Sequence, residues 1–205
     1  MFLTDWVHLI FSVPAILVAI TFHEYAHGKM AALLGDPTPA GQGRLSLNPL
    51  KHLDPLGALL LILVGFGWAK PVQVNPFYFR GDKQKGMLYV ALAGPLMNLV
   101  LAYLSTVALR ISFDQWYYIG IFFNLSMWYN TMLAVFNLIP LPPLDGFKIL
   151  VGLLPNRNEI LYKLESYGPI ILILLLATNV LGNIITPVVH GVLQLLTAAA
   201  GLAIY

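Results

Sequence analysis

An apolar run from about Asp5 to Leu34 is long enough to cross a bilayer, yet it carries His23-Glu24-Tyr25-Ala26-His27 toward its end. As one helix the run would be about 45 Å long, against a hydrocarbon core of roughly 30 Å. It therefore predicts a membrane helix with three ionisable side chains below its end, and such groups face a bundle interior or a wet cavity. Gly35-Asp36-Pro37 stops the helix. A cleavable signal peptide is not expected: no basic stretch precedes the run, no small-residue cleavage site closes it, and cleavage would discard the polar cluster.

The whole chain agrees with that setting. Hydrophobic residues make up 59% and charged residues 10%, against about 45–50% and about 25% in soluble domains. The formal charge of +2 is too small to argue for a nucleic-acid partner. With no cysteine, any metal must be held by His and carboxylates, and the redox compartment is unreadable.

Downstream of the first helix (1–34), region 37–85 changes to Pro, Gly and short apolar runs. Leu56 to Val64 is too short for a comfortable span, so a re-entrant hairpin is predicted. Val72-Gln73-Val74-Asn75 alternates as a strand does, and Gly65, Gly67, Pro71 and Pro76 oppose helix, which makes a short β-hairpin the expectation. Apolar segments follow at 86–109, 116–138 and 167–202, the last interrupted by Gly182 and Pro187, with a proline-broken segment at 139–154. The predicted fold is an all-α polytopic membrane protein, one domain over 1–205, with about four to six membrane helices. Lys70, Arg80, Lys83 and Lys85 crowd one loop while no basic residue precedes the first helix, so that loop is expected in the cytosol and the N-terminus outside.

His23 and His27 are four residues apart, which on a helix places both rings on one face and lets them bind one ion. Glu24 can then take a proton from a water on that ion, the division of labour expected of H-E-x-x-H. Such a site needs a third protein ligand and one open position. Most remaining carboxylates sit in terminal or loop-like contexts. Asp54 and Asp145 have apolar surroundings, and Asp145, in Asn137-Leu138-Ile139-Pro140-Leu141-Pro142-Pro143-Leu144-Asp145-Gly146, is the better candidate. The three prolines break the preceding span and can bring a carboxylate to the depth of the histidines.

At this point the resemblance is close: His23-Glu24-Tyr25-Ala26-His27 with the Asn137 to Gly146 segment resembles the site-2 protease family of intramembrane zinc metalloproteases. Ala93-Gly94-Pro95-Leu96-Met97-Asn98, His52-Leu53-Asp54-Pro55-Leu56-Gly57 and Gly65 to Val72 also resemble segments of its compact bacterial and archaeal members, which lack PDZ and nucleotide-sensing domains. The resemblance implies one zinc ion held by His23, His27 and Asp145, Glu24 as catalytic base, and endoproteolysis of membrane-spanning proteins within the cell membrane. A helical substrate hides its peptide bonds, so it would have to unwind and pair with the strand bearing Val72 and Val74. Asn98 and Asn137 are polar groups in apolar spans; they either hydrogen-bond between helices or, as the family suggests, donate to substrate or an oxyanion. His8, His52 and His190 have no metal-like partner at helical spacing. Two rivals stay open: an ion transporter, in which Glu24 would be another ligand, and a non-cutting relative that binds membrane proteins.

Overall fold

The computed structural model describes residues 6–64, 68–112, 117–154 and 159–202. Helix α1 (Trp6–Leu33) is followed by a short α2 (Thr38–Gly41), α3 (Pro55–Val64), α4 (Lys83–Ser112), α5 (Tyr117–Asn137), α6 (Asp145–Leu153), α7 (Glu159–Ala177) and α8 (Val180–Ala199). Four of them, α1, α4, α5 and α8, are long and apolar enough to cross a membrane. Helix α4 is the centre of the bundle, packing against α1, α5, α6 and α8.

The distribution of polarity suits lipid rather than water. Asn98, Asn130, Thr106 and Thr131 are fully buried, while Ile10, Ile173, Ile184 and Leu195 lie on the outside. In hydrocarbon an outward isoleucine is already in its preferred solvent, and a polar side chain must find its partner inside the bundle. The two threonines do so locally, donating to the carbonyls of Ala102 and Met127 one turn back.

Helix α1 ends as its sequence suggests. Gly35 takes φ +109°, and the Gly35 and Asp36 amides donate back to the carbonyls of Ala32 and Ala31, closing a Schellman motif. Asp36 is buried, not the loop carboxylate its context implies, and accepts from the amides of Thr38 and Asn75.

The β-hairpin expected in 37–85 is not formed. Leu56 to Val64 belongs to α3, whose first turn is capped by the Asp54 carboxylate accepting from the amides of Leu56 and Gly57. Among the described residues there is no strand, only a single antiparallel bridge between Leu53 and Ala69; Gly65 to Gly67 lie outside the described residues. Prolines at 71 and 76 remove ladder donors, and two amides between them are taken by side chains: Val72 donates to Glu24 and Asn75 to Asp36. These two bonds tie residues 71–75 to Glu24 within α1 and to Asp36 just beyond its end. The loops around α3 are drawn together by buried Arg44, whose guanidinium donates to the carbonyls of Lys51 and Lys70. Gly57 is required there, since a Cβ would lie 2.1 Å from the Trp68 carbonyl oxygen.

The C-terminal apolar region breaks elsewhere than expected. Gly182 and Pro187 lie inside α8, and the chain turns at Thr178–Asn179, where Asn179 adopts φ 55°. Asparagine tolerates that left-handed conformation better than most residues. Leu172, Leu181, Ile185 and Val189 join Val135, Leu141 and Leu144 in one apolar cluster, which fastens the proline-rich loop between α5 and α6.

Candidate metal centre

Two turns of α1 and the first residue of α6 meet against the middle of α4. The Nε2 atoms of His23 and His27 are 3.0 Å apart, and Asp145 Oδ2 lies 3.1 Å from the first and 2.9 Å from the second. All three residues are buried, and they form the one His/Cys/Asp/Glu group among the described residues that could hold a metal ion. Ligands about 2.0–2.1 Å from one tetrahedral zinc stand roughly 3.3 Å from each other, close to the spacing found.

The hydrogen bonds around the rings settle what the converging atoms are. The Ser126 carbonyl can only accept, so it fixes the Asn130 amide nitrogen toward itself (2.8 Å). Asn130 Oδ1 then accepts from Asn98 Nδ2 (2.8 Å), which also donates to the Ala19 carbonyl (3.0 Å). Asn98 Oδ1 is left to accept from His23 Nδ1 (2.6 Å). His27 Nδ1 likewise donates to the Val90 carbonyl (2.7 Å). In the neutral rings both Nε2 atoms are therefore lone pairs, aimed at each other and at a carboxylate oxygen. A bound metal ion would satisfy all three such atoms at once, so the donor set fits a metal.

Gly94 of α4 forms the wall beside them. A Cβ there would fall 2.5 Å from His27 Nε2 and 2.7 Å from His23 Cε1, so glycine is what lets α4 lie against the rings. Gly146 does the same for α6: a Cβ would meet the Leu138 and Ile139 carbonyl oxygens at 2.3 Å, and the close approach sets Asp145 at the start of its helix.

Glu24 is buried beside the triad but outside it, its Oε2 accepting from the Val72 amide at 2.9 Å. Val74 packs near Ala31, Phe79 and Val90. The other two low-lying candidates are turned away from the centre or already occupied. Asn98 is fully engaged with His23, Ala19 and Asn130, and the Asn137 amide donates to the Leu133 carbonyl on its own helix. His8 and His190 are exposed, and His52, fully buried, donates to the Ser46 carbonyl within its loop. Sequence reasoning missed Asn130, although a polar residue inside the apolar α5 carries the same signal as Asn98.

A helical bundle with two imidazoles and a carboxylate converging on one point, and a second carboxylate held just outside, is the layout of a membrane-embedded metal hydrolase. Comparison with known proteins agrees. Residues 114–178 match peptidase family M50, a stretch that includes Asn137 and Asp145 but not the α1 residues. YwhC of Bacillus subtilis, which carries a zinc metalloprotease name, is 37% identical over 87% of this chain and 85% of its own length. Rip2 of Mycolicibacterium smegmatis, similarly named, is 32% identical over 90% of this chain and 76% of its own. MJ0611 of Methanocaldococcus jannaschii, again with such a name, is 43% identical over 46% and 49% respectively. No solved structure matches the chain. The chain belongs to peptidase family M50, the site-2 proteases, and is a multi-pass membrane zinc metalloprotease.

Proposed function

We propose that this chain is an endopeptidase for membrane-spanning proteins, with one zinc held by His23, His27 and Asp145 and with Glu24 as general base. The observation that carries the assignment is the convergence of two imidazole lone pairs and a carboxylate oxygen within 3.1 Å, each ring fixed from behind by an acceptor. Bound zinc supplies a Lewis acid that acidifies a water and polarises the scissile carbonyl. Glu24 would take the proton from the attacking water as the water's oxygen adds to the carbonyl carbon. The same carboxyl then returns the proton to the amine nitrogen as the C–N bond breaks. The Val72 amide holds one Glu24 oxygen, which keeps the base aimed while leaving its second oxygen for the water. Asn98 and Asn130 act from behind His23 as positioning residues rather than as donors to substrate.

Residues 71–75 supply the substrate platform in this reading. They lie in no sheet, and the backbone groups of Gln73 and Val74 have no hydrogen-bond partner among the described residues. An unwound substrate segment adds to them as a strand and presents its scissile bond beside Glu24. Lys70, Arg80, Lys83 and Lys85 support a cytosolic position for this end of the bundle, with the N-terminus outside and water entering from the cytosol.

The test uses the full chain in liposomes with a defined single-span substrate. Glu24→Gln is expected to keep zinc near one per chain while cleavage falls by at least about 100-fold. Undiminished proteolysis would remove Glu24 as base, and lost zinc would make it a ligand, as in an ion transporter.

A further inference from the structure

The Asp145 carboxylate is divided between two partners. Its Oδ2 faces both histidine Nε2 atoms, whereas Oδ1 accepts from Lys148 Nζ at 3.1 Å and has no other hydrogen-bond partner among the described residues. The Asp145 side chain is 6% exposed, so its carboxylate has little contact with water and Lys148, 47% exposed, supplies the partner of Oδ1.

An ordinary helix-stabilising pair does not explain this lysine. Asp145 opens α6 and Lys148 follows three residues later, near the helix N-terminus. A cation there opposes the helix dipole, so the helix itself gains little from a lysine at this position. What the position does provide is a grip on the oxygen that is turned away from the histidines.

We propose that Lys148 is a positioning residue that holds Asp145 to one-oxygen coordination and so keeps a coordination position free for water. Without it Oδ1 is free to rotate inward and bind as the second arm of a bidentate carboxylate, in the place the water needs. The proposal rests on the ligand assignment above and adds to it a reason for a charged side chain beside a metal ligand.

The experiment uses the full chain loaded with cobalt(II) in place of zinc. Metal content, visible absorption and cleavage kinetics are compared for wild type, Lys148→Met and Lys148→Arg. Lys148→Met is expected to bind one cobalt per chain but with visible absorption weakened about twofold or more, as coordination expands. Its kcat should fall about 10- to 100-fold with KM little changed, while Lys148→Arg stays near wild type in spectrum and kcat. A Lys148→Met protein with unaltered spectrum and kcat overturns the proposal. So does one that loses cobalt, since Lys148 would then support the site as a whole. If His27→Ala binds cobalt as well as wild type does, the ligand assignment itself fails, and that result is independent of Lys148.

Discussion

At the scale of single residues, the centre depends as much on what Gly94 lacks as on what the histidines offer. Replacing a helical glycine by alanine ordinarily favours the helix by about 1 kcal/mol. At Gly94 the added methyl would sit 2.5 Å from His27 Nε2, well inside contact distance, and α4 is held by too many neighbours to move away. Gly94→Ala is therefore expected to weaken zinc binding at least about 10-fold and cleavage with it, measured by chelator competition; wild-type affinity would contradict the packing account. His23, Glu24 and His27 are legible in the sequence because helical period is local, and Asp145 because few carboxylates have apolar surroundings. Gly94 and Asn98 are visible only as oddities in an apolar span. Their work depends on α4 crossing α1, with a partner for Asn98 75 residues away at His23, and no local pattern encodes that.

At the scale of elements, the segment of residues 71–75 links Glu24, the proposed base, to the surface proposed to receive substrate. Alternation in Val72-Gln73-Val74-Asn75 predicts a strand, and no strand forms there. It does not reveal that the Val72 and Asn75 amides are taken by the Glu24 and Asp36 side chains, and the expected hairpin is absent among the described residues. Two proline variants separate the two roles. Val72→Pro removes the amide that holds Glu24, a hydrogen bond to a charged group worth about 1.5–3 kcal/mol. It should lower kcat about 10- to 100-fold with zinc retained, and Val72→Ala, which keeps the amide, should not. Val74→Pro removes an amide with no partner among the described residues, so its effect should fall on KM. Steady-state kinetics in liposomes decide between these; a Val74→Pro enzyme with normal KM and intact fold would leave strand addition without support.

Across the whole molecule, hydropathy makes the membrane bundle legible, because length and apolar composition follow from the thickness of the bilayer. It does not reveal which helix lies at the centre. That place goes to α4, which carries Val90, Gly94 and Asn98 along one face against α1, so that a carbonyl, a gap and an amide each meet a ring of the His23–His27 pair. The loop from Leu138 to Leu144 then brings Asp145 to the same point at the start of α6, anchored by the apolar cluster of α5, α7 and α8. The most direct test of this arrangement is X-ray absorption at the zinc edge on the purified, zinc-loaded chain. One zinc per chain with two imidazole nitrogens and oxygen ligands at about 2.0–2.2 Å is expected, with one imidazole lost in His27→Ala. Zinc bound with no imidazole signature, or with the same signature in His27→Ala, would contradict it.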